Sequence, residues 1–214
     1  YEQHGRELPW RVKGGAHPDP YVILVSELML QQTTVKTVIP YFHRFMKRFP
    51  TVKDLAEATQ EEVYFYWQGL GYYTRARSLH ATARLVMEKF NGRFPEKRED
   101  VLKLKGIGPY TVASFLALAF NQPETVVDGN VIRVISRLFR LTEPVSEILP
   151  QIREKAAGLT DRTRPADYAS AIMDLGAMIC TPKNPQCLLC PWQEHCLSKT
   201  DPGLEEIPRR GKPA

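Results

Sequence analysis

Leu104-Lys105-Gly106-Ile107-Gly108-Pro109-Tyr110-Thr111, then an apolar run to Phe120, then Val126-Val127-Asp128-Gly129-Asn130, is the stretch that decides the fold. A Gly-x-Gly turn leads straight into a helix, because Val112, Phe115, Leu116 and Ala119 recur at helical spacing. Gly106 and Gly108 allow backbone angles closed to other residues and let a ligand come near. Pro109 suits a first helical position, where its missing N–H costs nothing. The amides and the positive dipole end of that helix favour an anion such as a phosphate. A tight helix–turn–helix with no ligand is the plainer alternative. Asp128 follows as a lone acid just past the helix, placed to act on a phosphate-bearing substrate or simply to cap the helix after it.

Working outward, the chain reads as helices joined by short turns. Val35, Val38, Ile39, Phe42, Phe45, Met46 and Phe49 form one apolar stripe, interrupted by Pro40, which is expected to kink or begin a helix. Ala76, Leu79, Ala83, Val86, Met87 and Phe90 form another, and Val131, Val134, Ile135 and Leu138 a third. No segment alternates as a strand would, so the fold is expected to be all-α. The 214 residues are 43% hydrophobic, enough for one large or two small cores. Lys and Arg number 29 against 24 acids, a net charge of +5 that suits a polyanion partner. No apolar run approaches a membrane span, and no signal peptide opens the chain.

All four cysteines lie close together as Cys180, Cys187, Cys190 and Cys196. Dispersed cysteines would suggest disulfides, whereas this grouping with a central C-x2-C suggests one metal centre. Four thiolates suit tetrahedral zinc or an iron–sulfur cluster, and spacing alone leaves both open. Either implies a reducing, intracellular compartment.

Two further stretches stand out. Glu27 sits in Tyr21-Val22-Ile23-Leu24-Val25-Ser26-Glu27-Leu28-Met29-Leu30, where an apolar setting is expected to raise its pKa and fit it for general-acid work. A polar edge of an amphipathic helix is the other reading. Gln31-Gln32-Thr33-Thr34 follows, able to read base edges or to cap the next helix. Gly69-Leu70-Gly71-Tyr72-Tyr73-Thr74-Arg75-Ala76-Arg77 puts two aromatics and two arginines after a glycine turn. A base-unstacking wedge requires such a set; core tyrosines with solvated arginines would look the same.

Taken in order, these motifs resemble the catalytic region of the MutY adenine DNA glycosylases, in the endonuclease III superfamily. The likeness runs from about Leu8-Pro9-Trp10-Arg11 to Cys196. It implies a helix-hairpin-helix glycosylase fold, with a six-helix barrel domain at 19–126. It also implies an iron–sulfur domain built from 1–18 and 127–200, with 201–214 a linker or tail. The substrate is then double-stranded DNA carrying an adenine mispaired with 8-oxoguanine or guanine, held between the domains by a monomer with no membrane partner. Cys180, Cys187, Cys190 and Cys196 would ligate a [4Fe–4S] cluster. Catalysis would fall to Glu27, Asp128, Tyr110 and Asn130. DNA would be held by Gln32, Thr33, Leu70, Tyr72, Arg75, Gly106, Gly108 and Lys183. A cytoplasmic, nucleoid-associated setting in a bacterium goes with this.

One position separates the chain from lyase-competent relatives such as endonuclease III. Tyr110 stands where those enzymes have the lysine that forms a Schiff base, so strand cleavage is not expected. Full-length MutY proteins carry a C-terminal Nudix-like domain, and Pro208–Ala214 reads as a place where a linker to it could begin. Without such a domain, preference for 8-oxoguanine over guanine is expected to weaken. The rival readings are a thymine–guanine mismatch glycosylase of the same superfamily and a non-catalytic DNA-binding module.

Overall fold

Asp19 starts the first helix, α1 (Pro20–Leu30), by accepting the Tyr21 amide at 2.8 Å. Pro20 takes the first helical position, where no N–H is needed. The computed structural model describes residues 1–12 and 18–209. They form two compact units, Glu7–Asn121 and Tyr1–Arg6 with Gln122 onward.

In the unit Glu7–Asn121, α1 is apolar on every side except at Ser26 and Glu27 and is buried along most of its length, which makes it the central helix. Around it pack α2 (Val35–Arg48), α5 (Tyr73–Phe90) and α7 (Pro109–Phe120); α3 (Val52–Glu57), α4 (Gln60–Trp67) and α6 (Arg98–Val101) complete the unit. Polar caps set the helix starts: Thr34 for α2, a reciprocal Thr51–Asp54 box for α3 and Thr59 for α4. Pro40 neither begins nor ends α2 but lies inside it, on a solvent-facing turn, where water can satisfy the carbonyl it leaves unpaired. The core is mainly aliphatic but holds paired aromatics, with Phe45 edge-on to Trp67 at 5.9 Å and Trp10 edge-on to Phe42 at 5.2 Å. Edge-on pairing sets the positive rim of one ring against the negative face of the other.

The other unit holds α8 (Gly129–Leu138), α9 (Val145–Leu159) and α10 (Pro165–Asp174), and α10 runs on into a π-helical turn, Leu175–Ile179. Val131, Val134, Ile135, Ile148, Ile152 and Ile172 make its core. Arg6 ties the N-terminal segment to this unit through Asp174, by ion pair at 2.6 Å and by its own amide at 2.8 Å. Residues 201–209, read from sequence as linker or tail, carry a 3-10 turn at Leu204–Glu206 and a buried Ile207. Arg210 and the rest of that tail lie outside the described residues. No strand occurs among the described residues, only one isolated bridge between Pro144 and Arg209.

Candidate functional site

Glu27 lies near the middle of α1 and is 8% exposed, with Ser26 and Leu28 buried beside it. Because α1 is buried on every side, the carboxyl is not on a solvated edge. The chain then leaves the helix at Gln31, and Gln32 takes a left-handed φ of 58° before Thr34 caps α2. Gln31 reaches the hairpin, its Nε2 donating at 3.4 Å to the Gly106 carbonyl and at 3.4 Å to Thr111 Oγ1.

The same corner is organised by Arg75. One guanidinium nitrogen donates to the carbonyls of Leu28 (3.2 Å), Met29 (2.8 Å) and Gln31 and to Thr33 Oγ1 (3.1 Å). The other donates to the carbonyls of Leu70 and Gly71, each at 3.2 Å. The cation also lies over the rings of Trp67 and Tyr72, at 5.6 and 5.2 Å, an arrangement that the ring quadrupoles favour. Burial lowers the pKa of this guanidinium, and Tyr72 opposes that shift. Arg75, expected at the DNA, has both terminal nitrogens bonded to the protein's own loops. The residue is 6% exposed, and its donors pin the loop after α1 to the Gly69–Gly71 turn. Leu70, also expected at the DNA, is 6% exposed and packs in the core. Tyr72 differs from both. Its left-handed backbone, at φ 47°, is costly for a non-glycine residue. That backbone turns the ring outward, leaving the residue 59% exposed.

At the hairpin, Gly106 has φ 75°, and a Cβ there would lie 2.6 Å from Ser78 Cβ. Gly108 has an ordinary φ of −93°, begins α7 without a side-chain cap, and has open space where a Cβ would stand. The turn thus offers a helix N-terminus with room for an anion before it. Tyr110, in the first turn of α7, is 39% exposed.

In the other unit, Asp128 does cap α8. Its Oδ1 accepts the Val131 amide at 2.7 Å and its Oδ2 accepts Asn130 Nδ2 at 3.0 Å. Arg133 holds Asn130 in turn: its Nη2 donates to Asn130 Oδ1 at 2.9 Å and to the Gly176 carbonyl at 2.5 Å, and its Nε to the Cys180 carbonyl at 2.7 Å. Burial lowers the Arg133 pKa; Cys180 opposes that, Arg137 adds to it, and Asp128 opposes it again. Gly176, in the π-helical turn, must be small because a Cβ there would stand 2.6 Å from Asn130 Cβ.

The four thiols are free and share one cavity with Arg137. Arg137 is 1% exposed and donates to the carbonyls of Ile207 (2.9 Å), Thr181 (2.6 Å) and Pro182 (3.0 Å), with Cys180 Sγ at 3.5 Å. It shapes the loop carrying Lys183, which is exposed. Burial pushes the Cys190 and Cys196 thiols up, a tendency that a cationic centre reverses. Among the described residues no three of the Cys, His, Asp and Glu side chains converge closely enough for a single metal ion. Four thiols around one cavity suit tetrahedral zinc or an iron–sulfur cluster.

Sequence reasoning passed over Arg133, Arg137 and Gly176. The arginines left a signal, two cations four residues apart on the helix directly after Asp128. Gly176 left none.

The family model for the HhH-GPD superfamily of base excision DNA repair proteins matches residues 25–157. A model for the iron–sulfur binding domain of endonuclease III matches 180–196, which assigns an iron–sulfur cluster to the cysteines. An adenine DNA glycosylase of Rattus norvegicus is 45% identical over 203 residues, covering 92% of this chain and 39% of the rat protein. That of Buchnera aphidicola subsp. Baizongia pistaciae is 38% identical, covering 97% of this chain and 58% of its own. The chain thus spans roughly two to three fifths of the relatives it matches. Among solved structures, a thermostable thymine-DNA glycosylase superposes with a TM-score of 0.78 at 31% identity, covering 91% of this chain and 88% of that one.

Proposed function

The chain belongs to the HhH-GPD superfamily of base excision DNA repair proteins, and we propose that it is a monofunctional adenine DNA glycosylase. Its substrate is double-stranded DNA with adenine opposite 8-oxoguanine or guanine, and its product an abasic site. The observation that carries this reading is the 45% identity to an adenine glycosylase across 92% of the chain.

Adenine first leaves the stack, at a cost of a few kcal/mol that is smaller at a mispair. Exposed Tyr72 is the wedge that fills the gap, with Gln32 and Thr33 toward the opposite base. Arg75 and Leu70 act behind them by fixing the two loops. Gly106 and Gly108 receive a backbone phosphate, and Lys183 another. The glycosidic bond then breaks with positive charge gathering on the sugar. Glu27, buried in apolar surroundings, donates a proton to adenine N7 and makes the base a better leaving group. Asp128 stabilises the sugar cation, electrostatically or through a transient bond, and Asn130 holds the carboxylate. Water completes the hydrolysis. Tyr110 sits toward the sugar and has no amine for a Schiff base, so the strand stays whole. Cys180, Cys187, Cys190 and Cys196 hold a [4Fe–4S] cluster, whose part is to fix the loop that carries Lys183. Free thiols suit a reducing, cytoplasmic setting.

The likeness to a thymine-DNA glycosylase supports a second reading, removal of thymine opposite guanine. A glycosylase assay separates the two. Duplexes with A opposite 8-oxoguanine, A opposite G and T opposite G are incubated with the protein and analysed with and without alkali. Adenine release with alkali-dependent cleavage is expected. Release of thymine alone, or breaks without alkali, would overturn the proposal.

A further inference from the structure

The unit Glu7–Asn121 carries a second, open cavity of about 250 Å³, away from the residues assigned above. One face of α5 lines it with Arg77, His80, Arg84 and Glu88, while Gln60 comes from α4 and Lys105 from the hairpin. Three cations thus meet one carboxylate. Among the described residues, Arg77, Lys105 and Glu88 have no ion-pair partner, and Arg77 and Lys105 are exposed. Arg84 is held in place, its guanidinium donating to the carbonyls of Ala56 (3.3 Å) and Ala58 (3.2 Å). His80 is 3% exposed and its Nε2 is buried without a partner; burial and then the Arg84 guanidinium lower its pKa. Positive charge at the cavity exceeds its one carboxylate, so an anion entering it would meet Arg77 and Lys105 without ion-pair partners, and His80 Nε2 would donate to it only once the ring takes up a second proton.

The cavity also adjoins the hairpin. Thr82 Oγ1 accepts the Lys105 amide at 2.8 Å and donates to the Lys105 carbonyl at 3.2 Å. Ser78, one turn before Thr82 on α5, lies against Gly106. The seam that seats the phosphate-binding turn therefore also places Lys105 at the cavity.

We propose that this cavity is a second phosphate-binding site, with Arg77, Arg84 and Lys105 as its cations and His80 at its floor. A phosphodiester of the DNA flank and a free phosphate anion share this chemistry, and only the first rests on the DNA-repair reading. Lys105 reaches the phosphate from the hairpin side, Arg77 from α5, and the immobilised Arg84 sets the direction of approach. Glu88 limits the net charge.

The test uses the full chain with Arg77→Gln, Lys105→Gln and Glu88→Gln, and with Lys89→Gln as a control on an exposed lysine outside the cavity. Affinity for an undamaged duplex is measured against salt, and the His80 imidazole is followed by NMR while inorganic phosphate is added at constant ionic strength. For a duplex phosphate, Arg77→Gln and Lys105→Gln each flatten the salt slope by about 1. Glu88→Gln tightens binding, and Lys89→Gln changes nothing. For a free anion the slopes stay put, but phosphate shifts the His80 signals in the parent protein and not in Arg77→Gln. Unchanged slopes with silent His80 signals overturn the site. Adenine release by the parent protein is scored separately. Its absence would sink the glycosylase reading and leave the salt slopes to decide the cavity.

Discussion

The Nε of Arg133 donates to the main-chain carbonyl of Cys180 across 2.7 Å, while its Nη2 holds the side chain of Asn130 at 2.9 Å. One guanidinium thereby joins the first cysteine to the residue that grips Asp128. Asn130 donates to Asp128 Oδ2 at 3.0 Å, and the Val131 amide fixes Oδ1. Asp128 is thus held by a chain of contacts that ends at the cysteine cluster.

Arg133→Gln is expected to slow adenine release roughly 10- to 100-fold, the usual loss when a group that orients a functional ligand is removed. The protein should keep its iron and its visible absorbance, because all four thiols remain. Single-turnover rates and iron content measured on one preparation check this. Loss of iron in step with activity would make Arg133 a cluster residue only.

Glu27→Gln replaces the proposed acid by a neutral side chain of the same shape. Base release should fall by roughly 10²- to 10⁴-fold, the range for general-acid catalysis. Folding should be unaffected, since the substitution removes no volume from a helix buried on all sides. Affinity for the mispaired duplex should hold. Release within threefold of the parent would remove Glu27 from the chemistry.

Arg75→Gln separates bracing of the two loops from a DNA contact. The buried guanidinium binds five carbonyls and a hydroxyl. Shortening it strands buried acceptors at a cost of roughly 2 to 5 kcal/mol. The melting temperature should fall clearly. The salt slope of DNA binding should not change, because no phosphate contact is lost. A flatter slope with unchanged stability would make Arg75 a DNA contact.

These contrasts show what a sequence can carry. The stripes of α2, α5, α7 and α8 were legible because helical periodicity depends only on neighbours a turn away. The cysteine grouping was legible because all four ligands come from one short segment. Asp128 as a cap was legible for the same local reason. Arg75, Arg133 and Arg137 were not, because a charged side chain reads as solvated until the carbonyls that bury it are known, and those lie on other segments. Leu70 was placed at the DNA by the resemblance alone, and its packing in the core was not legible because the residues that bury it lie on other segments. Gly176 was silent, since its need to be small arises from Asn130, a distant residue that only the fold brings near.

The two hairpin glycines should respond differently to alanine. Gly106 has a left-handed φ of 75°. For a non-glycine residue that conformation costs on the order of 1 kcal/mol. The added Cβ would also meet Ser78 Cβ at 2.6 Å, so stability should fall by more than the backbone cost. Adding Ser78→Gly should recover the part due to the clash and leave the part due to φ. Gly108→Ala faces neither penalty, having an ordinary φ and open space, so its melting temperature should match the parent. The new methyl would occupy the room before α7 where a phosphate is to sit, so DNA affinity should drop at unchanged stability. Thermal unfolding and duplex titration of the four proteins check this. Full affinity in a stable Gly108→Ala protein would mean that the turn is structural and that no phosphate approaches it.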